Sequence, residues 1–166
     1  MNISVVSYNA RGLRVSHSES DKSRRVVVDK LFESYDILCI QETFLSKQDL
    51  EHLNMIHGCF HGAGESTTDL CAKVIRGRIP GGVAILWNKK YDQLVKVIRL
   101  GVDWAIAIEV NCNDKKFILI NVYMPHECTQ NEEEYLCRLA FIESHIQDNS
   151  SSCIYVLGDI NVYVIH

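Results

Sequence analysis

The chain has 166 residues, 47% hydrophobic and 23% charged, with a formal net charge of −4. That length and apolar content suit one globular domain with its own core and leave no room for a second. The negative net charge excludes a protein that holds nucleic acid by whole-surface attraction, so any such contact is local. Residues 1–100 carry 14 basic against 11 acidic side chains, whereas residues 101–166 carry 3 against 10, which leaves a basic half available to phosphates.

The opening Met1-Asn2-Ile3-Ser4 lacks the charged and apolar regions of a signal peptide. No apolar run approaches the roughly 18 residues of a membrane span. An intracellular protein, nuclear or cytoplasmic, with no membrane association is therefore expected, and no segment marks an obligate protein partner. The cysteines number 7 and form no Cys-x-x-Cys pair, which predicts reduced thiols. Cys39 and Cys153 lie in apolar runs, as small core residues do.

In chain order, Ile3 to Tyr8 and Asp36 to Ile40 are apolar runs of strand length. Between them Val28, Leu31, Phe32 and Tyr35 form an apolar stripe at helical spacing, with Lys22, Arg24, Arg25 and Lys30 available to the wet face. The opening is thus β-α-β. Ser46 to about Ile56 reads as a second helix, and Gly58 to Arg78, rich in glycine and polar residues, as a long surface loop.

Strands are predicted over Gly82 to Trp87, Leu94 to Leu100, Trp104 to Val110 and Phe117 to Tyr123. In the third of these Trp104, Ile106, Ile108 and Val110 alternate with Ala105, Ala107 and Glu109, the period of a strand with two different faces. Thr129-Gln130-Asn131-Glu132 is a capping-box pattern before Tyr135, Leu139, Ile142 and Ile146 at helical spacing. Cys153 to Leu157 is a final strand, running into Gly158-Asp159-Ile160-Asn161.

Four of these strands end in polar groups: Asn9, Glu42, Tyr123 near Asn121, and Asp159 with Asn161. Strand ends are where open α/β architectures place ligands. Two separated carboxylates with amides suit one hard cation and an anionic ligand, because Mg²⁺ takes a few carboxylate oxygens and completes its octahedron with water and phosphate. Each group also has a structural reading: an Asn after a strand often closes a turn, and Glu42 could be a solvated strand end.

His52, His57, Cys59 and His61, with Cys71, could imitate a zinc cluster, although their spacing matches no usual paired-ligand pattern. Lys73, Arg76 and Arg78 could meet a phosphate backbone or keep a loop soluble. Glu132, Glu133 and Glu134 read as ordinary compensation of a helix dipole.

Taken together, Ser7-Tyr8-Asn9-Ala10-Arg11-Gly12-Leu13, Cys39-Ile40-Gln41-Glu42-Thr43, Gly81-Gly82-Val83-Ala84-Ile85-Leu86, Asn121-Val122-Tyr123-Met124-Pro125 and Leu157-Gly158-Asp159-Ile160-Asn161 resemble the endonuclease/exonuclease/phosphatase superfamily. Within that superfamily they most resemble the endonuclease domain of LINE-type non-LTR retrotransposons. The resemblance implies a DNase I-like four-layered αβ sandwich, an α/β (α+β) fold of two mixed sheets packed face to face with flanking helices. It also implies Mg²⁺-dependent cleavage of phosphodiester bonds, with Mn²⁺ as the alternative metal, and DNA as the partner.

On the matching positions, Glu42 stands as the metal carboxylate and Asp159 as the group that orients or deprotonates the attacking water. Asn9 and Asn161 stand as amides holding phosphate and metal shell, and Tyr123 as a hydroxyl donor to the scissile phosphate. Gly81 and Gly82 are assigned to the sheet rather than the chemistry. Arg11 and His126 depart from the family pattern, where Asn or Asp and Asn are usual.

The family's closing segment, with a further Asp and an Asp-His pair, has no counterpart in the 166 residues. Glu143-Ser144-His145 falls within a predicted helix, and His166 follows Asp159 too closely to serve. One domain spanning 1–166, lacking its C-terminal strands and at best a poor nuclease, is therefore expected, with apolar faces around Trp104, Ile106, Ile108 and Phe117 incompletely covered. The alternatives are a phosphatase of the same fold acting on a lipid or small phosphoester, and a non-catalytic fragment that binds metal, DNA or a partner.

Overall fold

A computed structural model describes residues 2–13, 19–71, 81–112, 115–126 and 130–161. The strands are β1 (Val5–Asn9), β2 (Ile37–Gln41), β3 (Phe60–Glu65), β4 (Val83–Asn88), β5 (Val95–Ile98), β6 (Ala105–Cys112), β7 (Lys115–Tyr123) and β8 (Cys153–Asp159). The helices are α1 (Glu19–Ser34) and α2 (Glu132–Asp148), and Lys47–Met55 and Lys89–Tyr91 are 3₁₀ turns.

The strands form two four-stranded sheets, ordered β1-β2-β4-β3 and β5-β6-β7-β8. Each sheet has one parallel pair at its edge, β1 with β2 and β7 with β8, and antiparallel pairs elsewhere. A parallel pair needs a crossover, and α1 and α2 supply the two. Period-two alternation then sorts the side chains. Val28 and Phe32 of α1 and Leu53 of the 3₁₀ segment cover Leu38, Ile40, Ala84 and Leu86. Ile37, Cys39, Val83 and Ile85 meet Ile106, Ile108, Val110 and Leu119 between the sheets. Tyr135 and Ile142 of α2 cover Ala105, Ala107, Ile118, Ile120 and Val122. The result is the four-layered sandwich of two mixed sheets that the resemblance implies.

Several expectations are corrected. The stretch from Gly58 contains β3, because Gly62 and Gly64 lie against the 3₁₀ segment: a Cβ at Gly64 would fall 2.9 Å from a methyl of Leu53. Such a strand has small residues where alternation would show. Ser46 caps a 3₁₀ rather than an α-helical segment, with Asp49 completing its capping box. The N-cap of α2 is Asn131, whose side chain makes no capping hydrogen bond; Thr129 lies outside the described residues.

On α2, Leu139 and Ile146 are exposed while Tyr135 and Ile142 are buried. The buried stripe runs instead through Arg138, which lies over Trp104, and His145, which packs on Phe141. Cys39 is buried, but Cys153 is exposed on the edge strand. Ile106 and Ile108 are fully covered, whereas Trp104 and Phe117 remain partly exposed, so the expected open face is found only in part.

Lys73, Arg76, Arg78 and His166, and the side chains of Lys22, Arg24 and Arg25, lie outside the described residues. Among the described residues no helix is long and apolar enough to cross a membrane.

Candidate active site

The two parallel pairs run in the same sense toward one end of the sandwich, where the C-termini of β1, β2, β7 and β8 meet. Asn9 is the last residue of β1, and its Nδ2 donates to Glu42 Oε1 and to Asp159 Oδ2, both at 2.8 Å. One amide thus bridges carboxylates from the two sheets. Tyr123, the last residue of β7, donates its hydroxyl to Glu42 Oε1 at 3.4 Å. Four of the five expected site residues are therefore joined by hydrogen bonds.

Local backbone explains the convergence. In β2, Leu38 and Ile40 face α1, and continued alternation would send Glu42 to the same side. Glu42 instead has φ 51, a left-handed conformation that turns the chain and returns its carboxylate to Asn9 and Tyr123. Beyond β1, Arg11 has φ 48 and its amide donates to Asn9 Oδ1 at 3.2 Å, which fixes the orientation of the Asn9 amide. A non-glycine residue in this region is uncommon and costs of order 1–3 kcal/mol, so it persists only where the surroundings enforce it.

Two glycines serve the same end of the fold. Thr43 N donates to Gly82 O at 3.2 Å and Phe44 N to Gly81 O at 3.0 Å, which carries β2's pairing with β4 past Glu42. Gly82 has φ 87, and a Cβ there would lie 2.4 Å from Thr43 Oγ1. At β8, Gly158 has φ 144 and a Cβ would lie 2.0 Å from Val122 O, so only glycine lets Asp159 follow in register beside Tyr123.

Asn161, the fifth expected residue, is not among these hydrogen-bonded groups. Its Nδ2 donates to Met124 O at 2.7 Å, while Met124 N donates to Asp159 O at 2.9 Å, so it buttresses the chain on either side of the site. His126 is exposed just beyond, and its carbonyl accepts from Asn131 Nδ2 at 3.4 Å.

Burial raises the pKa of Tyr123, reinforced by the negative charges of Glu42 and Asp159, so its phenol stays protonated as a donor at neutral pH. Arg138 opposes that shift weakly; its Nη1 donates to Tyr123 O at 2.8 Å, holding the end of β7 from α2. The sequence pattern did not single out Arg138, because a helix arginine opposite a tryptophan carries no local signature. Gln41 and Asn121, which stand in the motif segments, are both buried, a position that no local pattern in the sequence marks.

The donor set fits a hard divalent cation. Glu42 and Asp159 supply carboxylate oxygens, and among the described residues neither forms an ion pair with Lys or Arg. Such a pair, with an amide between, suits Mg²⁺, which needs only one or two carboxylates beside water and phosphate. Among the described residues no group of three or more His, Cys, Asp or Glu gathers, and His52, His57, Cys59, His61 and Cys71 form no cluster. His52 lies by Asp49, His57 stacks on Phe32 and His61 pairs with Asp92, each engaged separately.

Comparison with known proteins agrees with this fold. The solved chains similar to this one include humanized D. rerio TDP2 carrying 14 mutations, at 16% identity and a TM-score of 0.64 over 98% of this chain and 63% of that one. The catalytic domain of human Nocturnin with bound sulfate matches at 18% identity and TM-score 0.66, over 97% and 64% of the two chains. The Bacteroides thetaiotaomicron mannosyl-6-phosphatase Bt3783 matches at 18% and 0.64, over 99% and 67%. The chain thus spans 63 to 67% of the length of these solved chains. No match was found among curated proteins.

At such identities the structures show the fold, while the sequence itself carries the family. Members of that family are hydrolases of phosphoester bonds and generally use divalent metals. The Endonuclease/Exonuclease/phosphatase profile matches residues 6–166, from β1 through all four strand ends of the site, and the chain belongs to that family.

Proposed function

We propose that the chain is the catalytic part of a divalent-metal-dependent phosphodiester hydrolase acting on DNA, of the retrotransposon endonuclease type. The observation that carries this reading is the single amide of Asn9 bridging Glu42 and Asp159, with the Tyr123 hydroxyl alongside. A metal bound there supplies Lewis acidity at a phosphoryl oxygen. Glu42 would hold Mg²⁺, or Mn²⁺ in its place. Asp159, oriented by Asn9, takes the proton of the attacking water. Tyr123 donates its hydroxyl to the developing charge on the phosphate; Asn161 would hold the phosphate with its second amide hydrogen, and Asn9, whose amide hydrogens lie on Glu42 and Asp159, would order the carboxylates of the metal shell.

Among the described residues no histidine hydrogen-bonds to Glu42, Tyr123 or Asp159, and His145 is committed to Phe141 O at 3.1 Å. A positioned acid or base contributes about 10² to 10⁴ in rate, so slow turnover is expected. The resemblance of Gln41-Glu42-Thr43 and Gly81 to Leu86 to retrotransposon endonucleases is what favours DNA over a small phosphoester in this reading. The second reading, a phosphatase of the same fold, draws on the likeness to the mannosyl-6-phosphatase.

Incubation with supercoiled plasmid and, separately, with sugar and lipid phosphomonoesters in Mg²⁺ tests the proposal. The expected result is slow plasmid nicking that is lost in Asp159→Ala and Glu42→Ala and in chelator. Release of phosphate from monoesters without nicking would favour the phosphatase. Metal binding with neither activity would leave a binding fragment.

A further inference from the structure

Among the described residues, the apolar core between the sheets is crossed by two buried amides. Gln41 is 1% exposed and Asn121 is 0% exposed. Gln41 Nε2 donates across the interface to Asn121 Oδ1 at 2.6 Å, and lies 3.1 Å from Ser7 Oγ and 3.0 Å from Cys39 O. Asn121 Nδ2 spends both hydrogens on the opposite sheet, on Ile40 O at 2.9 Å and Ala84 O at 2.8 Å. Among the described residues these are the only buried polar side chains that hydrogen-bond from one sheet to the other.

Their positions matter as much as their burial. Gln41 immediately precedes Glu42, and Asn121 lies two residues before Tyr123 on the same face of β7. The surrounding contacts, Ile37, Ile85, Ile106, Ile108 and Leu119, are non-directional and tolerate a small slide of one sheet over the other. Hydrogen bonds in a low-dielectric interior do not, because a slide leaves a buried donor or acceptor unpaired.

We propose that the Gln41–Asn121 amide pair is a positioning device that fixes the register of the two sheets and thereby holds Glu42 against Tyr123 and Asn9. It rests on the reading of Glu42 as the metal-holding carboxylate. Glu42 leaves β2 with a left-handed backbone, so its own strand does not define where its carboxylate points. The amides one and two residues before the site residues supply the reference that the apolar core lacks.

The test separates positioning from stability. Replacing both amides with apolar residues of similar shape, Gln41→Leu with Asn121→Leu, leaves no orphaned partner between the two and is close to neutral for stability. The affinity for Mn²⁺, measured by electron paramagnetic resonance on the whole chain, is expected to fall about 10- to 100-fold, the usual cost of losing groups that orient metal ligands. Ile108→Ala, which lowers the melting temperature without touching the amides, should leave the affinity unchanged. If the double variant fails to fold, Asn121→Ala, read against the same control, replaces it. Wild-type Mn²⁺ affinity in a folded amide variant, or an equal loss in Ile108→Ala, overturns the inference. Absence of Mn²⁺ binding by the wild-type chain overturns instead the reading of Glu42.

Discussion

Glu42 makes the site possible by abandoning the strand that carries it. Its left-handed backbone stores strain that the pairing of Thr43 and Phe44 with Gly82 and Gly81 holds in place. Tyr123 is the residue whose loss is cleanest to interpret, since phenylalanine keeps the ring and removes only the donor. Tyr123→Phe should leave the melting temperature within a few degrees and lower the hydrolysis rate about 10- to 100-fold, the equivalent of one hydrogen bond to a charged group. An unchanged rate in a steady-state assay would remove the hydroxyl from the chemistry. Cys39 shows what burial does to a group without such a role: desolvation pushes its thiol up to about 12, leaving it protonated and inert.

At the scale of elements, the legible parts were those with strong period. β1, β2, β4, β6 and β7 were readable because their apolar runs meet a core on both faces, and the polar residues that end them stood out against it. The motif residues Asn9, Glu42, Tyr123 and Asp159 were legible for that reason, whereas their convergence depended on sheet order, which no local pattern encodes. β3 was hidden by Gly62 and Gly64, chosen for close approach to Leu53 rather than for strand propensity. The face of α2 was misread because Arg138 and His145 bury apolar bodies under polar labels.

Gly158 gives the sharpest test at this scale. It pairs with Val122 in the parallel ladder that delivers Asp159 to Tyr123. A methyl group there meets a backbone carbonyl that cannot yield, in a conformation that already disfavours L residues. Gly158→Ala should destabilise the chain by about 3 kcal/mol or more in urea unfolding, above the cost of positive φ alone. A loss below about 1 kcal/mol would mean that the β7 and β8 register differs from that described.

At the scale of the whole molecule, the two edges that carry the site also leave an opening. A cavity of about 590 Å³ lies along the edges of β1 and β8, lined by Ile3, Val5, Cys112, Lys115, Phe117, Leu119, Tyr155 and Leu157. Tyr155 is 51% exposed on the edge strand, against Phe117. Exposed apolar surface of this kind binds amphiphilic dyes and favours association. The folded chain should enhance the fluorescence of 8-anilinonaphthalene-1-sulfonate, and Tyr155→Lys with Leu157→Lys should reduce that signal severalfold. Equal enhancement in the double variant would place the dye elsewhere.

In the proposed function, four strand ends from two sheets form one divalent-metal site. Titrating the ¹⁵N-labelled chain with Mg²⁺ and following backbone and side-chain amide resonances tests it most directly. The account predicts shifts that saturate together and are confined to Asn9 and Arg11, Glu42 and Thr43, Tyr123 and Met124, and Asp159 to Asn161, the Asn9 side-chain amide among the largest. They should vanish in Glu42→Gln. Shifts that gather elsewhere, or that persist unchanged in Glu42→Gln, would contradict it.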